Sequence, residues 1–129
     1  MQGMDLFEYA VIRLVPRVER EEFINVGVVL YCAKQKYLMA RLELDEARAA
    51  ALFAELDMDV VRRNLAAFEQ ICSGGETGGP IGRLDMASRF RWLTATRSTV
   101  LQCSKVHPGF CALADEKLHQ LYSTLVLLS

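Results

Sequence analysis

The strongest constraint this chain places on its own fold is an abrupt change at residue 22. A charged cluster, Arg20-Glu21-Glu22, hands over to an apolar run, Phe23-Ile24-Asn25-Val26-Gly27-Val28-Val29-Leu30-Tyr31, interrupted by one amide and one glycine. β-Branched residues at this density favour a strand, and apolar character at nearly every position suits a strand covered on both faces. The expected strand is Phe23 to Cys32, in mid-sheet. Strict alternation puts Ile24, Val26, Val28 and Leu30 on one face, and Phe23, Asn25, Gly27, Val29 and Tyr31 on the other. A glycine inside such a strand marks a bulge or the close approach of another backbone.

The flanking segments extend the sheet. Leu6 to Val15 is largely apolar on both faces, with Arg13 as an exception, and Pro16 ends it because proline cannot donate to a ladder. Tyr37 to Leu44 alternates, with Leu38, Ala40, Leu42 and Leu44 inward and Arg41 and Glu43 outward, as in a half-exposed strand nearer an edge. Asp45 is placed to cap a helix over Ala47 to Leu56. Asp57 is placed to cap a second, whose stripe is Val61, Leu65, Phe68 and Cys72. Gly74-Gly75 stops that helix by supplying positive φ, and Ser73 to Pro80 reads as a flexible loop. Asp85 caps a short helix with Met86, Phe90 and Leu93 inward, or the same residues form a strand around Arg89 to Leu93; Met86 to Leu93 is too short for periodicity to choose. Arg97 to Cys103 reads as the last strand and Val106 to Gly109 as a turn. From Asp115 a helix carries Leu118, Leu121, Tyr122, Leu125 and Leu128 on one side. Together these elements predict a single α+β domain over residues 1–129. It comprises a mainly antiparallel sheet of about four strands, begun by an N-terminal three-strand meander, with helices packed on one face.

Charge is balanced overall, at −1, and unevenly placed. Glu43 to Asp59 holds six acids and one base, whereas Arg83 to Lys105 holds five bases and one acid. The near-zero total argues against nucleic acid as a partner of the whole surface. No stretch approaches the length of apolar sequence that crosses a membrane, and the first residues do not read as a signal peptide. Cys32, Cys72, Cys103 and Cys111 lack a Cys-x-x-Cys spacing and read as small hydrophobes in a reducing cytoplasm.

The polar residues that invite a binding role are Arg83, Arg89, Arg91, Arg97, Ser98 and Thr99, with Trp92 among them. Arginine forks and hydroxyls suit a phosphate or carboxylate, and an indole can stack on a base. The simpler reading pairs these arginines with the acidic Glu43 to Asp59 segment, within the fold or between subunits. In a helix, Arg91 points away from Arg89; in a strand the two share a face. Asn25 beside Gly27 is either a ligand contact or a structural amide that holds the Glu19 to Glu22 turn or patches a bulge. Arg13 is expected to pair with Glu21 or Glu22. Cys103, His107 and Cys111 recur every fourth residue, but Pro108-Gly109 breaks the helix that would align them on zinc. No nucleophile elbow and no phosphate-cradling loop is present, so no catalytic residue, metal or cofactor is assigned.

As an ordered set, four stretches resemble the bacterial domain of unknown function 3037 family. They are Glu8-Tyr9-Ala10-Val11 with Pro16-Arg17, then Glu21 to Leu30, then Pro80-Ile81-Gly82-Arg83, and finally Arg89 to Thr94 with Arg97 to Val100. The resemblance implies a small stand-alone cytosolic protein, often encoded beside a HipA-like kinase, and so an accessory or partner role. The leading expectation is a non-enzymatic protein that presents the arginine-bearing segment, or the apolar end at Leu125 to Leu128, to a protein partner. The alternative is an anion-binding protein or enzyme that acts on a phosphorylated ligand or nucleic acid through Arg89, Arg91, Arg97 and Thr99. Either reading is compatible with a homodimer, which would cover the oppositely charged faces and the apolar end.

Overall fold

The computed structural model describes residues 3–95 and 99–127. Strands β1 (Asp5–Leu14), β2 (Ile24–Cys32) and β3 (Tyr37–Leu42) form the antiparallel meander expected from the sequence. Two short strands, β4 (Leu101–Cys103) and β5 (His107–Cys111), share the far edge of β1 and complete a five-stranded sheet. The apolar run after Glu22 is therefore an interior strand, with β1 on one side and β3 on the other.

Strict alternation fails at one point in β2. Gly27 lies opposite Ile12, but Asn25, not Val26, lies opposite Arg13, so β2 carries one extra residue. This bulge turns Ile24 and Val26 to the face that also bears Val29. Val28, Leu30 and Cys32 belong to the other core. Gly27 meets both meanings of a mid-strand glycine, because a Cβ there would stand 2.5 Å from the Arg41 carbonyl oxygen and from Leu42 Cδ2.

The helices are α1 (Glu46–Leu52), α2 (Met58–Ser73), α3 (Gly79–Gly82), α4 (Met86–Thr94) and α5 (Ala114–Leu125). They cover both faces, which corrects the expectation of one. α2 and α4 bury Val61, Leu65, Phe68, Phe90 and Leu93 against Ala10, Ile12, Leu14, Val26 and Val29. α5 buries Leu118 and Tyr122 against Phe7, Val28, Leu30 and Cys32. The reason lies in β1 and β2: two strands apolar on both sides leave each face in need of cover. Asp45, Asp57 and Asp85 cap α1, α2 and α4 by accepting from backbone N–H groups of the first turn.

Three further expectations are corrected. The turn at Val106 to Gly109 is largely the start of β5. Proline is tolerated there because β5 is an edge strand, and Gly109 leaves room for the Phe7 ring, 2.6 Å from where a Cβ would sit. The Ser73 to Pro80 loop is built of regular turns, though largely exposed: a 3₁₀ turn at Glu76–Gly78 leads into α3, and Gly75 N–H donates to the Gly82 carbonyl at 2.8 Å. Of the expected last strand, Leu101–Cys103 forms β4, Thr99 and Val100 precede it outside any strand, and β5 follows as a further strand. Residues 96–98, and Leu128 on the expected apolar side of α5, lie outside the described residues.

Gly27→Val should lower the unfolding free energy by about 3 kcal/mol, because neither the Arg41 backbone nor the β2 backbone can yield cheaply. Urea denaturation followed by circular dichroism checks this; a loss no greater than that of an exposed substitution would contradict the close approach.

Candidate functional site

Asp85 starts the arginine-bearing segment as a helix. Its carboxylate accepts from Ser88 N–H at 2.7 Å, and bonding at Ser88 holds its pKa below the usual carboxylate range. Helical geometry then separates the arginines, since two residues span about 200° around the axis. Arg89 turns inward beside Phe90 and Leu93, whereas Arg91 is exposed.

Arg89, only 8% exposed, is spent on the fold. Its Nε donates to the Leu84 carbonyl at 3.0 Å, and its Nη1 donates to the Ile71 and Cys72 carbonyls at 2.9 and 2.6 Å. Those last two are among the carbonyls that the final turn of α2 cannot satisfy internally, and they form the negative end of its dipole. Gly74 follows with φ +78, and a Cβ there would lie 2.8 Å from Arg89 Nη1. The guanidinium thus pins the end of α2 to α4 and the connection between them. It is neither paired with the acidic segment nor free to grip an anion. The acids find other partners: Glu46 and Asp59 pair with Arg62, and Glu55 pairs with Arg17.

The outer side of α4 borders a different environment. Trp92, 38% exposed, stands with Leu93 at a cleft of about 250 Å³ between α2, α4 and β4. Phe68, Ile71, Leu101 and Cys103 supply its apolar lining, and Asn64, Thr99 and Gln102 its polar margin. Thr99 Oγ1 donates to the Leu101 carbonyl, which ties the chain just before β4. Arg83 is exposed beyond α3; Arg97 and Ser98 lie outside the described residues. The contribution of α2 to this cleft, Asn64 and Ala67 beside Phe68, was not foreseen; its only trace in the sequence is a small residue next to the apolar stripe.

Asn25 lies elsewhere, with a different partner from the expected one. Its Nδ2 donates to the Leu125 carbonyl at 3.1 Å, at the end of α5, while its buried Oδ1 has no hydrogen-bond partner among the described residues. Arg13 lies opposite it in the ladder and sets its guanidinium 4.3 Å from the centre of the Phe23 ring. Glu22 pairs instead with Arg20, which corrects the expected Arg13 pairing. Asn25 and the α4 residues are on opposite faces of the sheet and form no common site. Cys103 belongs to the α2–α4 side and Cys111 to the α5 side, while the His107 ring lies tilted against that of Tyr9, 5.3 Å between centres. Among the described residues, no group of three His, Cys, Asp or Glu is arranged to hold a metal, and no helix is long and apolar enough to cross a membrane.

Arg89→Met should cost about 3 kcal/mol of stability, since it strips charge-assisted bonds from three carbonyls. Thermal and urea unfolding read this directly. Cys72, buried behind the same contacts, has its thiol pKa pushed up by burial from 9.0 to about 12, with the Arg89 charge opposing the shift. The unfolded chain releases that proton first, so the stability contribution is complete below pH 9 and declines as pH rises from 9 towards 12. Cys72→Ala should flatten the part of the alkaline decline due to this group, measured as urea midpoints across that range; an unchanged slope would contradict the assignment.

A family model for proteins of unknown function, DUF3037, matches residues 9–126 of the 129, including α4 and the cleft beside it. No curated protein and no solved structure matches the chain. A match of that extent decides the question the sequence raised: the chain belongs to the DUF3037 family.

Proposed function

We propose that this is a cytosolic bacterial binding protein, accessory to another protein and not itself an enzyme, which docks its partner on the Trp92 side of α4. The observation that carries the reading is an indole, 38% exposed, at the mouth of an apolar cleft, with the exposed Arg91 beside it in sequence. Tryptophan and arginine concentrate binding energy at protein interfaces, because each offers a large rigid surface with a directional polar handle. The matching partner segment places an apolar side chain in the cleft and a carboxylate against Arg91. Of the two surfaces the sequence offered, the apolar C-terminal end exposes Leu127 alone among its described residues, since Val126 is buried and Leu125 packs against the α5 core. A HipA-like kinase is the partner to test first, on the strength of the family resemblance.

The second reading, an anion site for a phosphorylated ligand or nucleic acid, loses its central member, since Arg89 is committed to carbonyls. It would rest on Arg83, Arg91, Arg97 and Thr99. Trp92 is the only tryptophan, so its fluorescence reports this surface alone. Titration with a candidate kinase should shift the emission, and Trp92→Ala and Arg91→Glu should each weaken complex formation at least about tenfold while the fold is retained. A shift produced by nucleotides or oligonucleotides, with kinase binding indifferent to both substitutions, would transfer the conclusion to the second reading.

A further inference from the structure

We propose that β3 is a self-association edge, at which two copies of this chain pair antiparallel about a two-fold axis to make one continuous sheet. This surface is distinct from the Trp92 cleft and the inference does not depend on it.

β3 is the outermost strand on its side of the sheet. Just beyond it, Glu43 N–H donates to the Val26 carbonyl at 2.7 Å. In an antiparallel ladder that bond fixes the alternation: odd-numbered residues turn their N–H and C=O groups towards β2, and even-numbered residues turn theirs away. Leu38, Ala40 and Leu42 therefore direct their backbone donors and acceptors outward, and none of these has a partner among the described residues. Leu38 is 4% exposed, and Ala40 and Leu42 are half-buried. Unmet backbone groups in such surroundings are costly, and a second strand would satisfy those of Ala40 and Leu42.

The two edges of the sheet differ. The far edge is blunted, being divided between β4 and β5 with Pro108 in β5. β3 has no proline, and no bulge interrupts its pairing with β2. Natural edges left so regular invite pairing. With one open edge and one blunted edge, the association closes at two copies and does not continue into a fibre. The charges name the occupant. With Leu42 opposite Leu42 of a second copy, Arg41 faces that copy's Glu43, and Glu43 faces its Arg41, so each favourable pair occurs twice. A foreign strand would have to bring these charges; this chain already holds them in the order that antiparallel self-pairing requires.

Sedimentation velocity over a wide concentration range should show a reversible monomer–dimer equilibrium. Amide hydrogen exchange at Ala40 and Leu42 should slow as dimer forms. Ala40→Pro removes an outward donor without taking a bond from the β2 ladder, and should yield a monomer. Arg41→Glu sets like charges opposite each other twice and should raise the dimer dissociation constant about tenfold; it decides the matter if the proline variant does not fold. A chain that stays monomeric, or one whose dimer is indifferent to Arg41→Glu and gives no added protection at these amides, overturns the proposal.

Discussion

The extra residue in β2 is the constraint on which the rest of the molecule depends. Because Val26 has no counterpart in β1, the strand changes which of its side chains face which core partway along. One strand can then supply Ile24, Val26 and Val29 to the α2–α4 side and Val28, Leu30 and Cys32 to the α5 side. Asn25 reaches the last turn of α5 from the same irregularity, and ties the C-terminal helix to the centre of the sheet. The Gly27 backbone permits this by letting Arg41 and Leu42 come closer than any side chain would allow.

A second fixed point lies at Arg89. A buried guanidinium is costly to desolvate unless its donors are used, and here the end of α2 provides carbonyls at the negative pole of a helix. The consequence is architectural: the end of α2, the glycine-rich connection and α4 are held as one unit, and this unit forms two walls of the Trp92 cleft. Residues that looked like one anion-binding group are therefore divided between support and surface. Arg89 holds the wall in place; Arg91 and Trp92 face outward.

With both faces of the sheet covered, contact with other molecules falls to the outer sides of helices, the clefts between them and the sheet edges. The Trp92 cleft and the β3 edge are two such places. The two proposed contacts are separable: the one with a different protein uses side chains, the one with a second copy uses backbone groups.

Much of this was legible in the chain. Composition and the dense β-branched run specified an interior strand and a meander, and three aspartates marked three helix starts, because caps and apolar periodicity are local properties that short segments carry by themselves. The glycine at 27 announced a bulge or close approach, although alternation then assigned Ile24 and Val26 to the wrong company. What only tertiary structure decided was pairing across distance: that α5 crosses to the opposite face, that Pro108 joins an edge strand, and that Arg89 answers carbonyls instead of carboxylates. A charged side chain's partner depends on which backbone groups folding leaves unsatisfied nearby, and that is a property of the assembled chain, not of any stretch of it.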